Sequence, residues 1–442
     1  MTDNSMSFEA SRQYNAEAES LIAGAVNSNV RLSGATVPLC FERAEGAYLF
    51  DIDGNRMLDY ALGMGPAILG HAPKPVIDAV TAALGQGQMY GGQHRAELAL
   101  ARLIQAAVPN AEMLRVGMSG SEMVQAALRL SRAATGRSKF IKFEGQYHGW
   151  FDNVLISNAP PVPDVDSPNE HVRQPHLETR GQVKSAAEDV IVLPWNDLTA
   201  VKAVLEAPGS DVAALLTEPM MCNTGVIPPK PGFLEGLREL TAKHGVILIF
   251  DEVITGFRVA LGGAQSRFGV TPDLATFAKA MAGGFPIAAL TGRRDLMEMF
   301  GTGAVNHSGT YNTNVPSVVA AVATLEVLSA DDGAALKRVE ATGDRLIEGL
   351  RRLAHDAGVP LRVSGVGAAF NTYFADAAHD LVDYRSYRRT DLTLQKNFIQ
   401  RLALAGIRPT GRGTWFVSAA HGAAEVEATL AAAKTALQGS AA

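Results

Sequence analysis

A chain of 442 residues, 47% apolar and 19% charged, is long enough to bury a large core and to divide into two or three domains. Its net charge of −6, with no run of like charge, argues against a nucleic-acid-binding protein or a charged tail. Cys40 and Cys222 are too few for a disulfide framework or a thiolate metal site. No stretch reaches the roughly 20 apolar residues of a membrane span, and residues 1–21 hold no apolar signal core, so the cytoplasm is the expected location.

Residues 1–20 read as a polar arm running into a helix over 10–23, followed by the polar loop Asn27-Ser28-Asn29-Val30-Arg31. Phe41-Glu42-Arg43 and Ala47-Tyr48-Leu49-Phe50-Asp51 read as strands about the Gly46 turn, and Asp53-Gly54-Asn55 as a second hairpin turn. The glycine-punctuated loop 63–70 leads to a helix over 74–84. From Glu97 onward, helices (97–108, 122–135, 198–206, 232–244) alternate with short apolar strands (113–116, 139–143, 189–193, 213–217, 246–250). This alternation predicts an α/β fold whose mostly parallel sheet is covered on both faces. Ligands in such sheets gather at the carboxyl ends of the strands, and Ser119, Tyr147, Glu218 and Asp251 each fall just after one. The long polar, proline-bearing stretch 158–188 has the length of a lid or a disordered segment. After a helix from 315 to 328 the texture changes: helices over 335–355 and 393–405 and strands near 361–363 and 370–374 predict a small α+β domain. The expected division is an N-terminal segment (1–65) packing with the small domain, a large domain (66–325) and the small domain itself (326–442).

The chemistry centres on two residues. Val246-Ile247-Leu248-Ile249-Phe250 ends in Asp251-Glu252-Val253, and the apolar run 272–278 delivers Lys279 ahead of Gly283-Gly284. Such a lysine can form a Schiff base with an aldehyde cofactor, while an aspartate at a buried strand end can keep the cofactor's pyridine nitrogen protonated. Taken singly, Lys279 is a solvated helix lysine and Asp251 a helix N-cap. Ser119-Gly120-Ser121-Glu122 opens a predicted helix and offers its N–H groups and dipole to a phosphate, but alone it is an ordinary Ser cap with a boxing Glu. An isolated Tyr147 would be packing, and an isolated His148 merely hydrogen-bonded. No Gly-x-Gly-x-x-Gly follows a strand and no Gly-x-x-x-x-Gly-Lys-Ser/Thr occurs, which sets nicotinamide dehydrogenases and nucleotide hydrolases well behind; no metal site is expected.

Phe250-Asp251-Glu252-Val253, Thr255-Gly256-Phe257-Arg258, Lys279 with its following glycine pair, Ser119-Gly120-Ser121 and Tyr147-His148-Gly149 together resemble the class III aminotransferases of the fold-type I pyridoxal phosphate superfamily. The likeness runs over about 26–421, within the branch of glutamate-1-semialdehyde aminomutases and β-amino acid aminotransferases. It implies a large domain with a mostly parallel seven-stranded sheet, a small α+β domain, and pyridoxal 5'-phosphate as cofactor. Lys279 then carries the cofactor and shuttles the substrate proton, Asp251 faces the pyridinium nitrogen, and Tyr147 stacks on the ring beside His148. Ser119, Gly120 and Ser121 fall at the phosphate, Glu218 and Asn223 near the phenolic oxygen, and Glu252 is structural. Thr310 resembles the threonine that reaches the phosphate from a neighbouring subunit, implying a homodimer with a shared active site.

For a substrate carboxylate, Arg31 matches the aminomutase arginine, and Arg412 in Thr410-Gly411-Arg412-Gly413 resembles that of the β-amino acid enzymes. The run 307–314 also resembles the latter. Trp150 and the proline-rich 159–168 replace the aminomutases' glycine- and serine-rich gating loop, and Gly413 stands near a position where they carry an acid. The expected activity is therefore transfer of an amino group from a carboxylate-bearing amine or amino acid, β-amino acids among them, to a keto acid. It ranks ahead of glutamate-1-semialdehyde 2,1-aminomutase and, more remotely, of a non-catalytic cofactor-binding protein.

Overall fold

In a computed structural model, which describes residues 6–31, 39–162 and 172–438, the chain divides into two units. The larger takes in Pro75–Leu336 and Asp380–Arg388; the smaller holds the described residues of Met1–Lys74, Lys337–His379 and Arg389–Ala442. The smaller unit opens with an antiparallel meander of β1 (Phe41–Glu45), β2 (Tyr48–Asp51) and β3 (Arg56–Asp59), turning at Gly46 and Gly54, whose φ values of +57° and +85° suit glycine.

The larger unit is built on β4 (Met113–Gly117), β5 (Lys139–Phe143), β6 (Val190–Leu193), β7 (Val212–Thr217), β8 (Ile247–Asp251), β9 (Leu274–Phe277) and β10 (Ala288–Gly292). They form one seven-stranded sheet in the order β4-β10-β9-β8-β7-β5-β6, parallel except that β10 runs antiparallel to both its neighbours. β7 and β8 are buried at every position, as near-continuous apolar strands must be when both sheet faces are covered. Their register pairs Thr217 with Phe250 and Asp251 with Thr276, so the carboxyl ends of β7, β8 and β9 finish close together. The helix Gly120–Thr135 buries Met123, Val124, Leu128 and Leu130 in a core shared with Phe140, Leu216, Ile249 and Leu290. Each such side chain stabilises the fold by roughly 1.5–3 kcal/mol. That helix starts at a reciprocal cap: Ser119 Oγ accepts from Glu122 N (3.3 Å) and Glu122 Oε2 accepts from Ser119 N (3.0 Å).

β9 and β10 are strands the sequence reading does not assign. Ala288-Ala289-Leu290-Thr291-Gly292 has almost no β-branched or aromatic content and is a strand because it is held between β9 and β4. Back in the smaller unit, β11 (Leu361–Val366), β12 (Ala369–Phe374) and β14 (Thr414–Phe416) form an antiparallel sheet, while β13 (Ile407–Arg408) pairs in parallel with β3. Of the stretch expected to be a lid, residues 163–171 lie outside the described residues. On either side of them, Asn158 N and Ala159 N donate to Glu178 Oε1, and Arg173 N donates to Val192 O of β6. Among the described residues, no helix is long and apolar enough to cross a membrane.

Candidate active site

Asp251, the last residue of β8, is buried and hydrogen-bonded through both carboxylate oxygens. Its Oδ2 accepts from His148 Nδ1 at 2.8 Å, and its Oδ1 accepts from Val253 N (3.1 Å) and Thr276 Oγ1 (3.3 Å). The carboxylate thereby fixes the proton on Nδ1 of His148. The other ring nitrogen, Nε2, is buried without a hydrogen-bond partner among the described residues, which costs about 1–3 kcal/mol unless something bound nearby completes it. Glu218 follows β7, and its Oε1 accepts from Tyr147 N (2.8 Å) and Asn223 Nδ2 (2.9 Å) while Oε2 accepts from Asn223 N (3.2 Å). Burial pushes its carboxyl pKa up, an effect the adjacent Asp251 reinforces and these N–H donors oppose.

Lys279 lies just past β9 at φ +40°, a left-handed conformation that strains a non-glycine residue by roughly 1–3 kcal/mol. A short 3-10 turn, Lys279–Ala282, then ends on Gly283 at φ +59°. Opposite, Gly120 and Ser121 begin the helix Gly120–Thr135. A Cβ on Gly120 would lie 2.7 Å from Val253 Cγ2, so glycine is what lets the helix start approach the turn after β8. Gly120, Ser121, Tyr147, His148, Glu218, Asn223, Asp251 and Lys279 all line one cavity of about 220 Å³. An amine, a carboxylate backed by an imidazole, and a helix N-terminus around one cavity fit a pyridine ring bearing an aldehyde and a phosphate. The amine suits the aldehyde, Asp251 the ring nitrogen, and the helix N–H groups the dianion. A larger, more open hollow of about 590 Å³ lies near the amino ends of β8 and β9, but there Arg238 and Arg293 both pair with Asp273 (2.9 and 2.7 Å). It holds ion pairs that brace the sheet.

The model of the family described as Aminotransferase class-III matches residues 31–420. The chain belongs to the class III aminotransferases. It is a pyridoxal phosphate-dependent enzyme. Glutamate-1-semialdehyde 2,1-aminomutase of Roseiflexus castenholzii is 41% identical to it over 428 residues, covering 96% of each chain. An omega-transaminase from Sphaerobacter thermophilus superposes with a TM-score of 0.92 at 31% identity over 98% of each chain. A β-phenylalanine aminotransferase from Variovorax paradoxus does so at 0.85 and 30% identity, over 97% of this chain and 94% of its own.

In this class III aminotransferase the residues read from the sequence do not all meet. Ser119 is exposed, its hydroxyl spent on the helix cap, and it does not line the cavity. Thr310 is exposed and likewise outside the lining. Arg31 ends the short turn Asn29–Arg31 and Arg412 lies between β13 and β14; both are exposed residues of the smaller unit. The Arg412 carbonyl is held by Asn371 Nδ2 and Gln395 Nε2, each at 3.0 Å. Glu252 is buried and accepts from Thr255 Oγ1 (2.6 Å), Ala264 N (2.6 Å) and Gln265 N (2.9 Å), fixing the turn beyond β8. Sequence reasoning missed Gly149, Met220, Cys222, Val253, Ile254, Thr255 and Ala278 as cavity-lining residues. Val253 and Thr255 were within the quoted signature, and Cys222 directly precedes Asn223. Burial pushes the Cys222 thiol well up, so it stays neutral.

Proposed function

We propose that this class III aminotransferase exchanges an amino group between two molecules, a carboxylate-bearing amine or amino acid (β-amino acids included) and a keto acid. The observation that carries the reading is the convergence of Lys279 and the Asp251–His148 pair on one cavity. The cofactor, when bound, supplies an aldehyde for the donor's amine and a ring that draws electrons from the donor carbon. Lys279 Nζ would hold that aldehyde and, when free, would be the base that moves the donor's proton. Asp251, its charge steadied by His148 Nδ1–H and the Val253 N–H, keeps the ring nitrogen protonated. Tyr147, its backbone N–H held by Glu218, would pack against the ring. The N–H groups of Gly120 and Ser121 would hold the phosphate, and Thr310 would reach it from a second copy in a homodimer. Arg412 or Arg31 takes the substrate carboxylate by a two-pronged guanidinium contact.

Support for intermolecular transfer comes from the smaller unit. Gly413 sits at φ +79°, where a Cβ would meet Gln395 Nε2 and the Thr372 carbonyl oxygen, so the position is kept for glycine in a loop where the resemblance places an acid in aminomutases. The second reading, an aminomutase, is favoured by the 41% identity to the Roseiflexus enzyme. A panel of amino donors assayed with pyruvate and 2-oxoglutarate separates the two. Transfer that requires an added acceptor is expected; conversion of glutamate-1-semialdehyde with no acceptor, and no transfer from any donor, would overturn the first reading.

A further inference from the structure

Asp380–Arg388 is a strap that packs with the larger unit although its neighbours in sequence on both sides belong to the smaller. Its side chains converge on two loops: residues 144–148 after β5, which bear Tyr147 and His148, and residues 222–225 beyond β7, which bear Asn223. Arg385 donates through Nε (3.0 Å) and Nη2 (3.2 Å) to the two carboxylate oxygens of Glu144, and both partners are buried. Tyr384 lies so close to Gly145 that a Cβ there would come within 2.6 Å of it, and its hydroxyl donates to Pro160 O at 2.8 Å. Tyr387 bears on Gly225 in the same way, a Cβ there falling 2.8 Å from Tyr387 Cδ2. Thr224 Oγ1 donates to Gly145 O (2.9 Å) and joins the two loops.

A buried, two-pronged Arg–Glu pair contributes little net stability against an apolar replacement, but it fixes geometry; without Arg385, Glu144 would keep only the longer ion pair to Arg173 Nε (3.8 Å). Glu144 opens the loop whose following residues carry the N–H that Glu218 binds and the imidazole that Asp251 binds. We infer that Arg385, acting through Glu144 with Tyr384 and Tyr387 beside it, is a positioning residue that holds the Tyr147–His148 and Asn223 loops in the shape the cofactor needs. The inference rests on the reading of this cavity as the cofactor site.

The test is titration of the apoprotein with pyridoxal phosphate, followed by absorbance, together with hydrogen exchange at the amides of Tyr147 and Asn223. Arg385→Met is expected to weaken cofactor binding by about 10- to 100-fold, the scale on which supporting partners act on a bound group, and to speed exchange at both amides. Tyr387→Ala moves both readouts the same way by less, and it decides the matter should Arg385→Met not fold. A lower melting temperature with unchanged cofactor affinity and unchanged exchange would make the strap merely structural and overturn the inference. Lys279→Ala, run alongside, is expected to lose the borohydride-fixed cofactor. Its retention overturns the cavity reading and this inference together, whereas its loss with unaltered affinity in both strap variants overturns this inference alone.

Discussion

Asp251 and His148 stand 103 residues apart in sequence and 2.8 Å apart in the fold, and that contact defines what the carboxylate can do. With Oδ2 taking the imidazole N–H, its negative charge is held toward the cavity at a fixed place. Asp251→Asn keeps the shape and removes the charge. Steady-state kinetics are expected to show kcat lowered by roughly 100- to 1,000-fold, the scale for loss of one preorganised electrostatic partner, with the donor's KM little changed. An unchanged kcat would remove Asp251 from the mechanism. At the smaller unit, Arg412→Ala is expected to raise KM for a carboxylate donor by roughly 10- to 100-fold, matching the loss of a charged hydrogen-bond pair. An amine lacking a carboxylate should be unaffected. Equal losses for both donors would give Arg412 a structural role, and the same comparison on Arg31→Ala assigns the carboxylate between the two.

At the scale of the element, Lys142 shows what β5 does beyond building the sheet. It is wholly buried within the strand and donates to Gln146 O (3.0 Å), Asn158 Oδ1 (2.8 Å) and Ile156 O, tying the strand's end to the root of the 158–188 stretch. Burial pulls its pKa down from 10.5 to about 7. Between those values the unfolded chain binds the extra proton, so this residue's contribution to stability rises with pH over that window and is flat below it. Chemical denaturation of the apoprotein at about pH 7 and about pH 9 is expected to show wild type gaining stability relative to Lys142→Met as pH rises. Equal pH slopes would mean the lysine is not held as the geometry indicates. Much of this was readable beforehand: the apolar runs of β5, β7 and β8 lie between turn residues, and Ser119 with Glu122 spells its own cap. A strand buried on both faces also implies that a lysine inside it is buried. Other parts were not readable, because their cause is not local. β10 is poor in strand-forming residues and exists through its two neighbours, and Glu144 meets Arg385 across 241 residues with no periodicity to announce it. The fit of Gly120 against Val253 likewise depends on how a helix start meets a turn three strands away in the sheet.

For the whole molecule, the larger unit carries the cavity, and both arginines proposed for the substrate carboxylate belong to the smaller. Thr310 and Tyr311 are exposed and away from the cavity lining, which suits a phosphate contact supplied by a second copy. Light scattering of the holoprotein is expected to give twice the chain mass, and Thr310→Ala to weaken cofactor binding without lowering that mass. A fully active monomer would contradict the shared site. The most direct measurement is peptide mapping of the holoprotein after borohydride reduction. The expected result is a reduced pyridoxyl group on Lys279 and on no other lysine; fixation on a different lysine, or on none, would contradict the assignment of the chemistry to this cavity.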